Sequence, residues 1–173
     1  TTQIAGSEPG NAWGQGKDVP LIAMAHGIPY VATATVADLR DLERKVEKAM
    51  SIHGARYIHI FVPCPLGWGA PSGKTVEIAR LAAETGLFPV FEAEYGEVTH
   101  ARKIRRLRPV EDYLKMQKRF AHLFGKKGDP ATVARIQAVA DRNIERFGLL
   151  DGEEDKEMII PVPAQADART QAR

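Results

Sequence analysis

At 173 residues, with 44% hydrophobic and 27% charged side chains, the chain is sized and composed for one ordinary soluble domain with a single core. A net charge of +2 gives no sign of a nucleic-acid or membrane partner, and no apolar run approaches the roughly 18 residues of a spanning helix. The single cysteine, Cys64, excludes an intramolecular disulfide and fits a reducing, cytoplasmic setting, and the polar, Gly-rich start shows no signal peptide.

Residues 1–17 (TTQIAGSEPGNAWGQGK) lack apolar periodicity and read as a loop. Asp18 is placed to cap a short helix, with Pro20 in its first turn and Gly27 past its end. Residues 29–35 (PYVATAT) read as a strand. Residues 38–50 read as an amphipathic helix. Leu39, Leu42, Val46, Ala49 and Met50 share one stripe, while Arg40, Asp41, Arg44, Lys45, Glu47 and Lys48 lie mostly opposite. Residues 57–62 (YIHIFV) are the strongest strand and stop at Pro63-Cys64-Pro65, because proline cannot donate to a ladder.

Ser72 is a candidate N-cap for a helix over 73–85, closed by Gly86. Residues 88–93 (FPVFEA) read as a strand, Tyr95-Gly96-Glu97 as a turn, and 98–104 as an antiparallel return. Pro109 opens a helix with Val110, Tyr113, Leu114, Gln117, Phe120 and Leu123 down one side. Asp129-Pro130 caps another, with Val133, Ile136, Ala140, Ile144 and Phe147 on one face. From Asp151 the chain is acidic, then Pro- and Ala-rich, and is expected to be disordered or to wrap on a partner. The alternation implies an α/β fold, a parallel sheet with flanking helices. Only three strands are well defined, so the sheet has an open edge for a missing N-terminal half or a partner to finish.

In such a sheet, ligands bind beyond the carboxyl ends of the strands, which draws notice to residues 63–69 (PCPLGWG). A lone cysteine after a strand is more often a small buried hydrophobe than a ligand. The flanking prolines and glycines instead hold the thiol in a rigid loop, and a metal-ligand role stays open, although one cysteine cannot hold zinc or a cluster alone. Residues 67–75 (GWGAPSGKT) fail as a phosphate-binding loop: Trp68 stands where the first glycine belongs, and Pro71 removes a backbone N–H. His26, His53, His59, His100 and His122 show no metal-ligand spacing. Arg102, Lys103, Arg105, Arg106 and Arg108 form a basic run, most simply a solvated face and alternatively a surface for an acidic partner.

Five stretches, occurring in order, resemble the β subunit of pyruvate and related 2-oxoacid:ferredoxin oxidoreductases. They are 3–12 (QIAGSEPGNA), 23–32 (AMAHGIPYVA), 61–68 (FVPCPLGW), 79–92 (ARLAAETGLFPVFE) and 109–123 (PVEDYLKMQKRFAHL). The first departs from the family's usual Thr-Pro and Gly-Ala pattern at residues 8–12. The resemblance implies a thiamine-diphosphate-binding fold of which this chain is the C-terminal half. The Gly-Asp-Gly and Asn-loop motifs that hold thiamine diphosphate and Mg2+ are absent, and the start at Thr1 rather than Met fits an upstream part. Residues 1–108 then complete the cofactor domain, 109–150 form a helical extension and 151–173 a tail.

The resemblance further implies a 4Fe–4S cluster near the cofactor, with Cys64 as one ligand and the others outside this chain. It puts Thr1, Thr2 and Gln3 close to the reactive end of the thiamine, and assigns no catalytic residue here. The family's reaction decarboxylates a 2-oxoacid, passes electrons singly through the cluster to ferredoxin, and delivers the acyl group to coenzyme A. Expected partners are the other oxidoreductase subunits (α, γ and δ type) and ferredoxin. Two rival readings stand beside it: a non-enzymatic α/β assembly or binding domain with Cys64 buried and inert, and a non-redox thiamine-diphosphate decarboxylase or synthase needing no cluster.

Overall fold

The computed structural model describes residues 17–126 and 128–150. Its centre is a four-stranded mixed sheet. Strand β1 (Tyr30–Thr35) runs parallel to β2 (Arg56–Phe61), in register from Tyr30 opposite Arg56 to Thr35 opposite Phe61. On the other side of β1 lies β3 (Phe91–Glu94), antiparallel, followed by its hairpin partner β4 (Glu97–Ala101). The order β2-β1-β3-β4 leaves β2 at an edge.

The expected α/β layer is present, but parallel pairing is confined to β1 and β2. The chain enters β3 through Pro89, which has no N–H for a ladder. The hydroxyl of Thr33 substitutes: it donates to the Pro89 carbonyl at 2.7 Å and accepts from the Phe91 N–H at 2.9 Å. This pins the start of β3 to the middle of β1. The hairpin turns at Tyr95 and Gly96, with φ of 50° and 91°, the left-handed pair that a tight two-residue connection demands.

Helix α1 (Val19–Ala25) is capped by Asp18, whose carboxylate accepts from the Leu21 N–H at 3.3 Å. It packs with α6 (Pro130–Arg146) on one sheet face, where Met24, Val31, Phe91, Ile144, Phe147 and Leu149 form one core cluster. Asp129 caps α6 by accepting from the Thr132 N–H at 2.9 Å. A second cluster joins α4 (Thr75–Glu84), α5 (Val110–Lys115) and α6 through Ile78, Leu81, Tyr113, Leu114 and Ala140. Gly86, at φ 77°, permits the close α4–α6 approach, because a Cβ there would stand 2.6 Å from Ile144. Ser72 does not cap α4: a 3-10 turn over Ser72–Lys74 intervenes, and the Ser72 carbonyl accepts from the Thr75 hydroxyl.

Helix α2 (Leu39–Ser51), capped by Asp38, has the expected length, but its apolar stripe divides: Ala49 packs inward with Tyr30 and Ala32 and Leu42 is half-buried, while the other three members face out. Leu39 is 66% and Met50 73% exposed, and Val46 is exposed too, whereas Lys45 is 1% exposed and Asp41 is buried. The cause is β3. Glu92 is buried in the sheet and takes the Tyr30 hydroxyl at 2.9 Å and the Lys48 ammonium at 3.1 Å. Lys45 lies between the Thr33 carbonyl (2.9 Å) and Asp41 (2.6 Å). Ala32 and Ala34, small and fully buried on β1, leave room for these long cations.

Burial presses the Glu92 carboxyl upward, but the hydrogen bonds from Tyr30 and Lys48 and the charges of Lys48 and Lys45 outweigh it and hold it below its ordinary range. Burial, then the hydrogen bond to Glu92, pushes the Tyr30 hydroxyl well above its own range. Burial lowers Lys45 against the opposing pull of Asp41.

Two outcomes follow for the chain in solution. Lys45→Met should cost on the order of 3 kcal/mol in urea unfolding, because Asp41 loses a buried partner, while Val46→Ser should stay within about 0.5 kcal/mol. The reverse ranking would mean that the apolar stripe faces the sheet. Because the Glu92 carboxyl is depressed on folding, its stabilisation is present above the unfolded value near pH ~4.3 and is lost as pH falls through the folded value. Glu92→Gln should therefore lose less stability on acidification than the parent, and parallel acid profiles would contradict this.

Candidate functional site

Strand β2 ends at Phe61, and the chain reaches Cys64 through Val62 and the buried Pro63. Since β1 and β2 are parallel, Cys64 lies past their carboxyl ends, the ligand-binding end of such a pair. Its side chain is exposed. The buried, inert cysteine that the residue type alone favours is therefore not found. The two flanking prolines explain this: neither offers an N–H to carry the strand onward, and Pro65 has the φ of a helix start.

Helix α3 (Pro65–Trp68) is a single turn whose N-cap is Cys64 itself. The Gly67 N–H donates to the Cys64 Sγ at 3.3 Å, and the Trp68 N–H donates to the Cys64 carbonyl at 3.0 Å. A Cβ on Gly67 would stand 3.3 Å from the sulfur, tighter than ordinary contact, so glycine keeps that flank of the thiol open. Gly69 ends the turn in the left-handed region, at φ 62°, and a Cβ there would collide with Lys118 at 2.7 Å.

That contact explains a second departure from expectation. The helix expected over 109–123 is broken into α5 and a 3-10 turn over Lys118–Leu123, with Gln117 extended between them. The buried Gln117 side chain donates back to the Tyr113 carbonyl at 2.8 Å, and the Lys118 N–H reaches the Gly69 carbonyl at 3.4 Å. The break carries Arg119 to the Cys64 loop. Its guanidinium carbon lies 3.9 Å from the centroid of Trp68, its Nε donates to Gln117 at 2.9 Å, and Nη2 reaches the Tyr113 hydroxyl at 3.3 Å. Burial lowers the Arg119 guanidinium, and its interaction with the Tyr113 hydroxyl opposes that shift. Arg119 thus stacks on Trp68, the last residue of the turn that Cys64 caps. Nothing in its sequence position marks it, since it falls inside an apparently regular helical pattern.

The surroundings are apolar and uncovered. Leu66 is 95% exposed, and Val62 and Ile60 are exposed beside it. Among the described residues no group of three or more His, Cys, Asp or Glu side chains converges to hold a metal ion. The donor chemistry at Cys64 suits one ligand of a thiolate-held cluster: an accessible sulfur with a backbone N–H aimed at it. Thr1, Thr2 and Gln3, and the tail from Asp151, lie outside the described residues. Among those described, no helix is long and apolar enough to cross a membrane.

No protein-family model matches the chain. It is 53% identical over 133 residues to the pyruvate synthase subunit PorB of Methanosarcina barkeri, an alignment covering 77% of this chain and 45% of that protein. It is 46% identical over 149 residues to the PorB subunit of Methanocaldococcus jannaschii, covering 86% of this chain and 48% of that protein. The ketoisovalerate oxidoreductase subunit VorB of Pyrococcus abyssi is 47% identical over 109 residues, covering 62% of this chain and 35% of that protein. The chain spans about half the length, or less, of these relatives.

An exposed thiol reacts without unfolding. A chromogenic disulfide reagent should titrate one thiol per native chain, at a rate that denaturant raises only modestly. Reaction that waits for unfolding would contradict the placement of Cys64.

Proposed function

We propose, from the premise that this chain belongs to the family of pyruvate synthase and ketoisovalerate oxidoreductase β-type subunits, that it is the C-terminal half of the thiamine-diphosphate-binding subunit of a 2-oxoacid:ferredoxin oxidoreductase. The whole enzyme would convert a 2-oxoacid and coenzyme A to acyl-CoA and CO2, with electrons leaving through an iron–sulfur cluster to ferredoxin. In this reading residues 1–108 complete the cofactor domain, with Thr1, Thr2 and Gln3 near the cofactor. Residues 109–150 form a supporting helical extension, and 151–173 serve as a partner-contacting tail. Thiamine diphosphate and Mg2+ are held by the half that this chain does not span, and the other oxidoreductase subunits assemble around both.

The observation that carries the reading is the exposed, hydrogen-bonded Cys64 thiol at the carboxyl end of a parallel strand, in a chain about half as long as the oxidoreductase subunits it matches. Cys64 would supply one thiolate to a 4Fe–4S cluster, which when bound accepts electrons one at a time. The chain's own residues position that sulfur. Pro63 and Pro65 fix the loop, and the Gly67 N–H donates to the sulfur.

The open edge at β2, the exposed Ile60, Val62 and Leu66, and the outward stripe of α2 are surfaces on which the rest of the subunit would pack. The non-enzymatic reading requires a buried, inert Cys64, and the thiol's exposure counts against it.

The test is anaerobic co-production of the chain with the remaining half of the subunit and the other subunits, with Cys64 intact or replaced (Cys64→Ala). The variant complex should assemble, contain about four fewer iron atoms and sulfides per copy, and fail to reduce ferredoxin with a 2-oxoacid. Equal iron content in both complexes would remove Cys64 from the cluster.

A further inference from the structure

The described residues end at Leu150, directly beside the chain's own basic run. The Lys103 ammonium donates to the Gly148 carbonyl at 2.7 Å, and the Ile104 N–H donates to the Leu149 carbonyl at 2.7 Å. These two contacts fasten the point where the chain leaves α6 to the start of the run. A cavity of about 510 Å3 opens there, at the carboxyl end of β1, and Leu149 is part of its lining.

The charged lining of that cavity is unequal in sign: Arg80 from α4 and four cations of the basic run stand against Asp38 and Glu84. Arg102 pairs with Asp38 at 3.0 Å. Arg80, Arg105 and Arg106 have no carboxylate within ion-pairing distance among the described residues. The sequence immediately beyond Leu150 is of the opposite sign: residues 151–157 (DGEEDKE) carry five carboxylates and one lysine.

We infer that residues 151–157 fold back across the basic run and pair with Arg80, Arg105 and Arg106. Reach is sufficient: an extended chain covers ~3.3–3.6 Å per residue, and the carboxylates begin two residues past Leu149, which already lines the cavity. Charge is complementary even with Glu84 counted, since the cavity's excess of three positive charges meets four net negative ones. Exposed ion pairs are individually weak, but so short a connection holds the carboxylates at an effective concentration on the order of millimolar. An external polyanion must therefore displace a segment that is tethered in place. The inference is independent of Cys64 and of the oxidoreductase reading, either of which can fail without it, and it leaves residues 158–173 available to a partner.

A glutamate-specific endopeptidase applied to the 173-residue chain at low ionic strength provides the test, because it cuts after Glu153, Glu154 and Glu157 only while the segment is released. The double variant Arg105→Gln/Arg106→Gln should be cut there at least about tenfold faster than the parent, and about 0.5 M salt should speed cutting of the parent likewise. Arg80→Gln, on the α4 wall, should speed it independently. All three arginines are exposed, so their replacement leaves the core intact. Lys115→Ala, which removes a cation paired with Glu111 on α5, should leave the rate unchanged.

A second measurement reads the cavity rather than the segment. Polyglutamate should bind the variant Glu153→Gln/Glu154→Gln/Asp155→Asn at least about tenfold more tightly than the parent, since the tethered competitor is gone. The inference is overturned if the parent and the cavity variants are cut at the same rate, or if polyglutamate binds parent and segment variant equally. It is also overturned if protection of the segment grows with protein concentration, which would place it on a second copy of the chain.

Discussion

Glu92 sets the terms of this fold. A carboxylate buried in the sheet requires cations and donors around it, and Tyr30 from β1 and Lys48 from α2 supply them. Once α2 presents Lys45, Lys48 and Asp41 to the sheet, its Leu39, Val46 and Met50 must point the other way. Rolling the helix over would bury three apolar side chains at about 1.5–3 kcal/mol each. It would also strand a buried carboxylate, at several kcal/mol, and lose the Lys45–Asp41 pair. The buried ionic contacts therefore decide the orientation of the helix. The outward stripe of Leu39, Val46 and Met50 is left exposed.

Exposed apolar surface also lies beside β2. β2 is an edge strand, and the loop beyond it offers an exposed sulfur amid exposed Ile60, Val62 and Leu66. The loop itself is tightly determined. Cys64 caps its own helical turn, Gly67 gives the sulfur room, Gly69 admits Lys118, and the break at Gln117 brings Arg119 over Trp68. The result is a rigidly held, exposed thiol with no converging group of three or more His, Cys, Asp or Glu side chains among the described residues.

What sequence reasoning reached, and where it stopped, follows the range of the interactions involved. The helix starts at Asp18, Asp38 and Asp129 were legible because a cap is a contact three residues long. The proline stop after β2 was legible for the same local reason. The direction of α2 was not: periodicity reveals two faces and is silent on which one turns inward. That choice rests on Glu92, 44 residues beyond Lys48.

The antiparallel course of β3 was equally hidden, since a strand, helix, strand succession suggests a parallel crossover until Thr33 is seen to hold Pro89 and Phe91. Arg119 escaped notice because the expected helix over 109–123 is interrupted by a tertiary contact at Gly69, for which the local pattern has no sign. The position of Cys64 was readable, but its exposure was not.

Hydrogen exchange at the backbone amides of β2 tests the idea of a half-built unit most directly. Exchange would be followed in the 173-residue chain alone and in the complex with the rest of the subunit. The account predicts rapid exchange at the outward-facing amides of Arg56–Phe61 in the isolated chain, and strong protection there and around Cys64 on assembly. Protection already complete in the isolated chain, or unchanged by the second half, would contradict it.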